Sequence, residues 1–340
     1  MHANIGDAAV GAAYRKFSDS SREDWVSGGS RPIVTTVWYP AYAASKPRRQ
    51  VVGPFQTGRY QIGACWRSGT EKLPLVVLSH GTGGSAASIA WLGVRLASRG
   101  FVVAAVNHHG NTAAEKRPVI RGFLRWWERP MDLSFVVDSL LADEEIGDHL
   151  DPARIGVAGF SLGGYTALAT VGVTLDVRRW APHCVQNPAD PLCRLPPEAG
   201  QGPLDVKECV SAEFDERAVA QANQSYLDSR FKAAFVIALV GGPIMTDESV
   251  AAVAVPVSIV VGAEDDQSIA ELTGVPIGTA IRQSWVEVLP GVHHYAFLSE
   301  GTLPARLFLR RIFADPRNLD RNQLHSDVAS RAADFFRNHI

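Results

Sequence analysis

Apolar runs of strand length recur along the chain and alternate with segments of helical periodicity. Continuous apolar runs of this length are typical of strands buried on both faces in a parallel sheet. The helical patterns cover 86–98 and 131–142, and a stripe that begins at Ser326 predicts a terminal helix packed on the sheet. The alternation predicts an α/β fold with a mostly parallel, doubly wound sheet. The predicted strands are 73–78, 101–106, 155–158, 233–240, 255–261 and 285–289.

The first seventy residues lack this rhythm. Residues 1–30 are polar with little periodicity, which predicts a loosely attached lead-in. The β-rich run 32–40 is closed by proline, as in an edge strand or hairpin. Residues 46–70 carry Pro, Gly and basic side chains, which predicts a surface excursion. We therefore expect a lead-in, followed by a single domain over 31–340.

The alternation of strands and helices is interrupted a second time at residues 176–229. These residues are rich in Pro, Cys and charge and include a helical stretch near 213–226. Long segments inserted into a compact fold are often functional. One interpretation is a cap-like insertion over the active site. The alternative is a surface loop away from the chemistry.

A glycine–serine motif marks the junction between the third predicted strand and the helix after it. Gly159-Phe160-Ser161-Leu162-Gly163 matches G-x-S-x-G, followed by an alanine-rich run over 165–171. In a nucleophile elbow a strained turn exposes a serine hydroxyl above the sheet, and small flanking residues let helix and strand pass close together. The motif lies between a strand and a helix, as an elbow requires, so Ser161 is the candidate nucleophile. A plain glycine–serine turn is the structural alternative.

A serine hydroxyl is a weak nucleophile until an imidazole takes its proton, and a carboxylate orients that imidazole. In this fold the chain order is Ser, then Asp or Glu, then His. Two histidines, His293 and His294, follow the last predicted strand, and His294 is the preferred base. Asp265 is the first choice of acid because it follows a buried strand. The other candidate carboxylates are Asp266, Glu264 and Asp247.

The tetrahedral oxyanion needs preorganised N–H donors. The residue after the nucleophile supplies one, and a residue after an earlier strand supplies the other. These positions assign the donors to the backbone N–H groups of Leu162 and Thr82, with Gly83 as the alternative to Thr82.

The composition of the chain limits the classes of molecule that it is expected to bind. The 340 residues are 46% hydrophobic and carry a net charge of −2, which gives no general electrostatic reason to bind nucleic acid or anionic membrane. No apolar run approaches the roughly 20 residues that span a bilayer. No signal peptide is recognisable, so a cytoplasmic location is expected, or a periplasmic or secreted one if a signal has been removed. The expected partner is a small molecule; the oligomeric state stays open.

Cysteine and histidine usage does not indicate a metal site. The four cysteines are irregularly spaced, although a bridge between Cys184 and Cys193 would staple a loop, and in the cytosol both would be reduced. His80, His108 and His109 lie at the ends of neighbouring predicted strands without metal-ligand spacing. We expect neither metal nor cofactor.

Several separate motifs, in the same order, resemble the predicted dienelactone-hydrolase-like family related to platelet-activating-factor acetylhydrolases. The motifs are 31–40 (Arg-Pro, then Trp-Tyr-Pro), 73–85, 107–112, Arg-Pro-Met-Asp at 129–132, 159–164 and His-Tyr-Ala-Phe-Leu at 294–298. The resemblance implies an α/β-hydrolase fold, a serine esterase without cofactor, and Thr82 and Leu162 as oxyanion donors.

The chain departs from that family at two points. Gly241-Gly242-Pro243 stands where the acetylhydrolases carry their acid, which favours Asp265. Dienelactone hydrolases use a cysteine nucleophile, so Ser161 argues against dienelactone as the substrate.

The sequence therefore predicts a carboxylic ester hydrolase that works through an acyl-enzyme. Acyl or peptidyl transfer or amide hydrolysis by the same triad is one alternative. A non-catalytic ligand receptor of the same fold is another. Trp126 and Trp127 are candidates for lining an acyl or alcohol pocket, or for simple packing.

Overall fold

The computed structural model describes residues 8–42, 46–67, 69, 71–194 and 214–340. Its strands are β1 (Val10–Glu23), β2 (Ser30–Pro40), β3 (Arg48–Val52), β4 (Phe55–Ile62), β5 (Leu73–Ser79), β6 (Val102–Asn107), β7 (Leu150–Phe160), β8 (Phe231–Ile237), β9 (Val257–Gly262) and β10 (Ser284–Leu289). Within the described residues they form one sheet in the order β10-β9-β8-β7-β5-β6-β2-β1-β4-β3.

Helices cover both faces of this sheet. The α-helices are α1 (Ala90–Ser98), α2 (Ile120–Leu124), α3 (Glu128–Leu141), α4 (Leu162–Thr170), α5 (Trp180–Gln186), α6 (Glu216–Asn223), α7 (Asp247–Ala251), α8 (Gly274–Ala280), α9 (Leu303–Phe308), α10 (Arg310–Phe313) and α11 (Arg321–His339). Short 3-10 helices cover Ala86–Ile89, Gly147–His149, Val177–Arg179, Pro191–Cys193, Gly242–Ile244 and His294–Phe297.

The central strands are parallel, as the apolar runs predict. Strands β6, β5, β7, β8, β9 and β10 pair in parallel, each with the next in that list. Parallel neighbours place their carboxyl ends at one edge of the sheet, where doubly wound folds bind ligands. The loops after β5, β7, β9 and β10 carry the predicted site residues.

The two faces of the sheet have separate cores. One face packs against α3 and α4 through buried side chains such as Leu133, Val137 and Leu168. The other packs against α1 and α11, whose Leu96 and Phe336 are fully buried. The predicted stripe of the terminal helix is confirmed, since Val328, Ala332, Phe335 and Phe336 are all buried.

The expectations for the first seventy residues are wrong in three respects. The supposed lead-in contains β1, which pairs antiparallel with β2 over most of its length. Strand β2 forms a hairpin with β1, as one option predicted, but it is interior rather than an edge, because β6 pairs with its other side. The supposed surface excursion contains the hairpin β3–β4, and β4 pairs with β1. Six of the fourteen residues of β1 are exposed, so the strand lacks a continuous apolar run.

The interrupted region 176–229 lies partly outside the described residues, because 195–213 are not described. Its described part begins with α5, and a disulfide joins Cys184 to Cys193. Helix α6 accounts for the predicted helical stretch near 213–226, with shorter bounds. Asp215 caps it by accepting a hydrogen bond from the backbone N–H of Ala218.

Candidate active site

Ser161 occupies a strained turn between β7 and α4. Its φ of 57° and ψ of −119° are rare for a residue with a side chain. Glycine is required on both sides: a Cβ on Gly159 would lie 1.8 Å from the carbonyl oxygen of Gly163, and one on Gly163 would lie 2.0 Å from that of Ser79. The G-x-S-x-G pattern therefore lets helix and strand approach closely enough to hold this turn.

Three predicted residues meet at Ser161. The Nε2 atom of His294 lies 3.0 Å from the Oγ of Ser161, and its Nδ1 lies 2.8 Å from Oδ2 of Asp265. A carboxylate only accepts hydrogen bonds, so Nδ1 carries the proton and Nε2 accepts from the serine hydroxyl. Asp265 also accepts from the backbone N–H groups of Gln267 and Ser268, at 2.8 and 2.6 Å, which fixes the carboxylate.

The alternative acids and bases lie elsewhere. His293 points away from Ser161 and pairs with Asp315, at 3.1 Å. Asp247 belongs to α7, with a side chain 91% exposed near Arg179. Asp266 lines the cavity described below, and Glu264 is exposed. Among the described residues, His294 forms side-chain hydrogen bonds with Asp265 and Ser161 and with neither of these carboxylates. Among the candidates, the structure brings only Asp265 and His294 together with Ser161.

The backbone N–H groups proposed as oxyanion donors differ in whether they already have a hydrogen-bond acceptor. Leu162 is the first residue of α4, so its N–H has no acceptor within the helix. The N–H of Gly83 donates to Oδ1 of Asn111, at 2.5 Å. No such bond engages the N–H of Thr82 among the described residues. Thr82 is therefore the better placed of the two to bind an oxyanion.

His80 controls the direction of the Thr82 N–H. The backbone N–H of His108 donates to His80 Nε2, at 3.2 Å, so the ring proton is on Nδ1 and donates to the carbonyl of Gly81, at 2.7 Å. In a trans peptide the C=O and the following N–H point in opposite directions. Holding the Gly81 carbonyl therefore fixes where the Thr82 N–H points. Burial, followed by the charge of Arg129, holds the pKa of His80 well below its ordinary value, so the ring stays neutral.

A second Ser–His–Asp relay lies entirely in the interior. The hydroxyl of Ser79 is 2.9 Å from His108 Nε2, and His108 Nδ1 is 2.9 Å from Oδ2 of Asp132. All three side chains are fully buried. Burial, and then the charge of Arg129, lowers the pKa of His108 to about 3. The sequence reasoning did not predict this relay. The positions of Ser79 and His108, at the ends of two neighbouring parallel strands, could have indicated that their side chains meet.

Two arginines hold the acid of the buried relay as a carboxylate. Arg31 donates to both oxygens of Asp132, at 2.8 and 3.1 Å, and Arg22 approaches within 2.7 Å. Burial alone would raise the pKa of Asp132, but these charges and the His108 hydrogen bond hold it well below its ordinary value. Arg129 donates to the carbonyl of His80, which precedes the loop that carries Thr82.

A cavity of about 640 Å³ opens above Ser161 and His294. Two groups of mostly apolar residues form much of its lining, which also includes the polar side chains Asp190, Arg194, Asp266 and Gln267. The first, around Trp126, is Phe123, Leu124, Trp126, Trp180, Pro191, Leu192, Val240 and Leu272; the second, around Phe55, is Pro54, Phe55, Tyr295, Leu298, Arg311 and Ile312. Trp127 does not line it and packs in the core. The described part of 176–229 thus borders the cavity, as a cap-like insertion would.

Two features of the described residues bear on ligands and membranes. No group of three or more His, Cys, Asp or Glu side chains there is arranged to hold a metal ion. His109 instead pairs with Glu115, at 2.8 Å. None of the helices in those residues has the length and apolar character needed to cross a membrane.

Comparison with known proteins gives three kinds of similarity. The family model of platelet-activating factor acetylhydrolase, isoform II, matches residues 49–119. Lipase 1 of Moraxella sp. (strain TA144) is 35% identical over 28% of this chain and 26% of its own length. The platelet-activating factor acetylhydrolase of Cavia porcellus is 26% identical over 35% and 39%, and cutinase est1 of Thermobifida alba is 31% identical over 32% and 33%.

These curated relatives are matched over only a quarter to two-fifths of their lengths. The structural similarity is more extensive. A ferulic acid esterase from Streptomyces cinnamoneus superposes with a TM-score of 0.63 at 20% identity, covering 100% of this chain and 91% of the other. The chain thus has the α/β-hydrolase fold, and its resemblance to the platelet-activating-factor acetylhydrolases, inferred from its motifs, is confirmed.

Proposed function

We propose that the protein is a serine carboxylic ester hydrolase that works through an acyl-enzyme. The observation that carries this proposal is the hydrogen-bonded line from Asp265 through His294 to Ser161 at the base of an apolar cavity. The names of the matched proteins, which include a lipase, a cutinase and an acetylhydrolase, favour ester bonds as the target.

In the first half of the reaction Ser161 Oγ attacks the ester carbonyl carbon while its proton passes to Nε2 of His294. The carbonyl oxygen becomes an oxyanion bound by the N–H groups of Leu162 and Thr82. When the tetrahedral intermediate collapses, the bond to the alcohol oxygen breaks. His294 then protonates that oxygen, and the alcohol leaves.

The second half repeats these steps with water. His294 takes a proton from a water molecule, whose oxygen attacks the acyl carbon. Collapse releases the carboxylic acid and returns the proton to Ser161. Asp265 holds His294 in the required tautomer and stabilises the imidazolium formed in both halves. The interior relay takes no direct part, because its serine has no access to substrate.

The adjacent histidines provide a matched test. A fluorophosphonate probe should label Ser161, and p-nitrophenyl esters should be hydrolysed. His294→Ala should reduce kcat by about 10⁴-fold or more, whereas His293→Ala should keep kcat within a few-fold. Equal rates for wild type and Ser161→Ala, or equal losses for both histidine variants, would overturn the proposal.

Acyl transfer by the same residues predicts different products. Added alcohol or amine acceptors would divert the acyl group from water, which product analysis detects. Dominance of transfer at low acceptor concentration would replace hydrolysis with a transferase assignment.

We also propose that the protein works in an oxidising compartment rather than in the cytoplasm. The Cys184–Cys193 disulfide supports this, because such bonds persist mainly in oxidising environments. In a thiol titration of denatured native protein, Cys65 should react without reduction, whereas Cys184 and Cys193 should react only after reduction. Four free thiols would contradict the proposal.

A further inference from the structure

Three links fold residues 180–193 into a closed segment, which we call the stapled segment. The Cys184–Cys193 disulfide joins α5 to the 3-10 helix Pro191–Cys193. The indole N–H of Trp180 donates to the carbonyl of Leu192, at 3.0 Å, and Nε2 of His183 lies 2.7 Å from Oδ2 of Asp190. Because all three links join the same two elements, the segment should move as one body.

The stapled segment forms one wall of the cavity above Ser161. Trp180, Pro191 and Leu192 line it, and Trp180 is only 6% exposed. The ring of Trp180 lies 4.9 Å from that of Trp126, centroid to centroid. Trp126 is fixed in turn by its indole N–H, which donates to the carbonyl of Phe123, at 2.7 Å. The two indoles therefore form a firm aromatic corner.

This corner offers a ligand carbon surface and few polar groups. Both indole N–H groups are already bonded to backbone carbonyls. The carboxylate of Asp190 is occupied by His183 and by the backbone N–H of Leu192. A polar ligand group packed against the two rings would lose its water without gaining a hydrogen bond from either indole, at a substantial free-energy cost. The corner thus favours an apolar group large enough to contact both rings.

The position of His294 indicates which half of an ester lies there. His294 protonates the leaving alcohol, so the alcohol must lie on its side of Ser161. Tyr295 and Leu298 follow His294 in the chain and belong to the lining group around Phe55. The alcohol is therefore assigned to that group, and the acyl chain to the corner of Trp126 and Trp180.

We propose that the stapled segment determines acyl specificity, selecting esters with a ring-sized or branched apolar acyl group over acetate. This inference rests on the proposed esterase function. Trp180 and Leu192 supply the contact, and the disulfide, with the His183–Asp190 pair, holds them against Trp126. Loss of the bridge should leave the reacting groups in place and reduce discrimination between acyl groups.

The test compares two substrate series with full-length protein. One series keeps the p-nitrophenyl group and changes the acyl group from acetyl to benzoyl. The other keeps acetyl and changes the alcohol. For Cys184→Ser/Cys193→Ser and for Trp180→Ala, the benzoate-to-acetate ratio of kcat/KM should fall about tenfold or more, largely through KM, while the alcohol series keeps its wild-type order. Dithiothreitol should lower that ratio in wild type and in Cys65→Ser, which lacks the exposed free thiol.

Each failure has a distinct meaning. An unchanged acyl ratio in Trp180→Ala would overturn the proposal, as would a change confined to the alcohol series. A dithiothreitol effect that persists in the Cys184→Ser/Cys193→Ser variant would remove the role of the bridge. Absence of Ser161-dependent hydrolysis of every ester would instead overturn the esterase function itself. Thermal unfolding of each variant shows that a changed ratio comes from folded protein.

Discussion

The chain contains two Ser–His–Asp relays with nearly the same hydrogen-bond geometry and different surroundings. In the relay of Ser161, His294 and Asp265, the three atom pairs lie at 2.8 to 3.0 Å beside a cavity. In the interior relay of Ser79, His108 and Asp132 both links are 2.9 Å. Distances between side chains therefore cannot distinguish a reaction centre from a structural support.

Three differences separate the two relays. The interior serine closes a regular strand, whereas Ser161 sits in a strained turn at the base of the cavity. The interior acid is bound by two arginines, whereas Asp265 is held by two backbone N–H groups. The interior histidine has a pKa lowered to about 3, which prevents it from cycling a proton near neutral pH.

Of the two relay acids, Asp265 should have the larger effect on the rate when it is replaced, as in Asp265→Asn. An amide cannot hold His294 Nδ1 as a carboxylate does, so kcat should fall by about 10⁴-fold, with a small change in stability. Steady-state kinetics and urea unfolding measure the two quantities. A large loss of stability with little loss of rate would reverse the assignment of the relays.

Asp132→Asn should show the opposite pattern. The substitution leaves the charges of Arg31 and Arg22 without their shared carboxylate in the interior, and breaking such a buried pair costs about 3–5 kcal/mol. Urea unfolding should report this loss. At temperatures where the variant is folded, kcat should fall far less than in Asp265→Asn. An equal fall would mean that the interior relay takes part in the reaction.

Lowering the pH should reduce the free energy of unfolding, because two interior histidines stay neutral in the folded protein. His80 and His108 are neutral in the folded protein, with pKa values below the ordinary one near 6.5. Below that pH the unfolded chain binds protons that the folded chain does not, so stability falls as pH falls, by up to about 1.4 kcal/mol per pH unit for each histidine.

Above pH 6.5 this contribution is complete and constant. The depressed pKa of Asp132 acts in the same direction, but only below its ordinary value of 3.8. Urea unfolding at pH 7, 6 and 5 gives the slope of the unfolding free energy against pH. His108→Gln should reduce that slope by the contribution of one histidine, up to about 1.4 kcal/mol per pH unit. An unchanged slope in that variant would contradict the neutral interior imidazole.

Ser79→Ala should give the smallest change. It removes one buried hydrogen bond to His108, worth about 1 kcal/mol, and should leave kcat within a few-fold of wild type. The matched variant Ser161→Ala should keep its stability and lose activity by about 10⁶-fold. A large rate loss in Ser79→Ala would show that the interior relay positions the oxyanion loop more tightly than one hydrogen bond implies.

The sequence predicts the parallel half of the sheet and the reacting residues because both have local signatures. Continuous apolar runs identify β5 to β10, and the elbow pattern identifies Ser161 within five residues. The order of strands then places Asp265 and His294 at the same edge. Here local patterns suffice because the topology of the fold supplies the long-range information.

The rest depends on contacts that no local pattern encodes. Asp132 reaches His108 only because α3 packs on the sheet, and Arg31 comes from a strand 101 residues away in sequence. Strand β1 was not predicted because residue polarity does not follow the alternation of burial. Tyr14 is exposed, whereas its neighbour Arg15 is partly buried. The sequence offers a bridge between Cys184 and Cys193 as an option, because the two cysteines bracket a Pro-rich segment.

The hairpin β3–β4 contributes Pro54 and Phe55 to the cavity, although it lies at the far end of the sheet from β10. Phe55 forms a bridge with Gly301, and its ring packs on Phe313. Residues from the first sixty and the last forty positions therefore line the same cavity. Loosening the hairpin β3–β4 would open the cavity on one side and leave Ser161 in place. Retention of a bound molecule and reaction at Ser161 are therefore separable properties of this architecture.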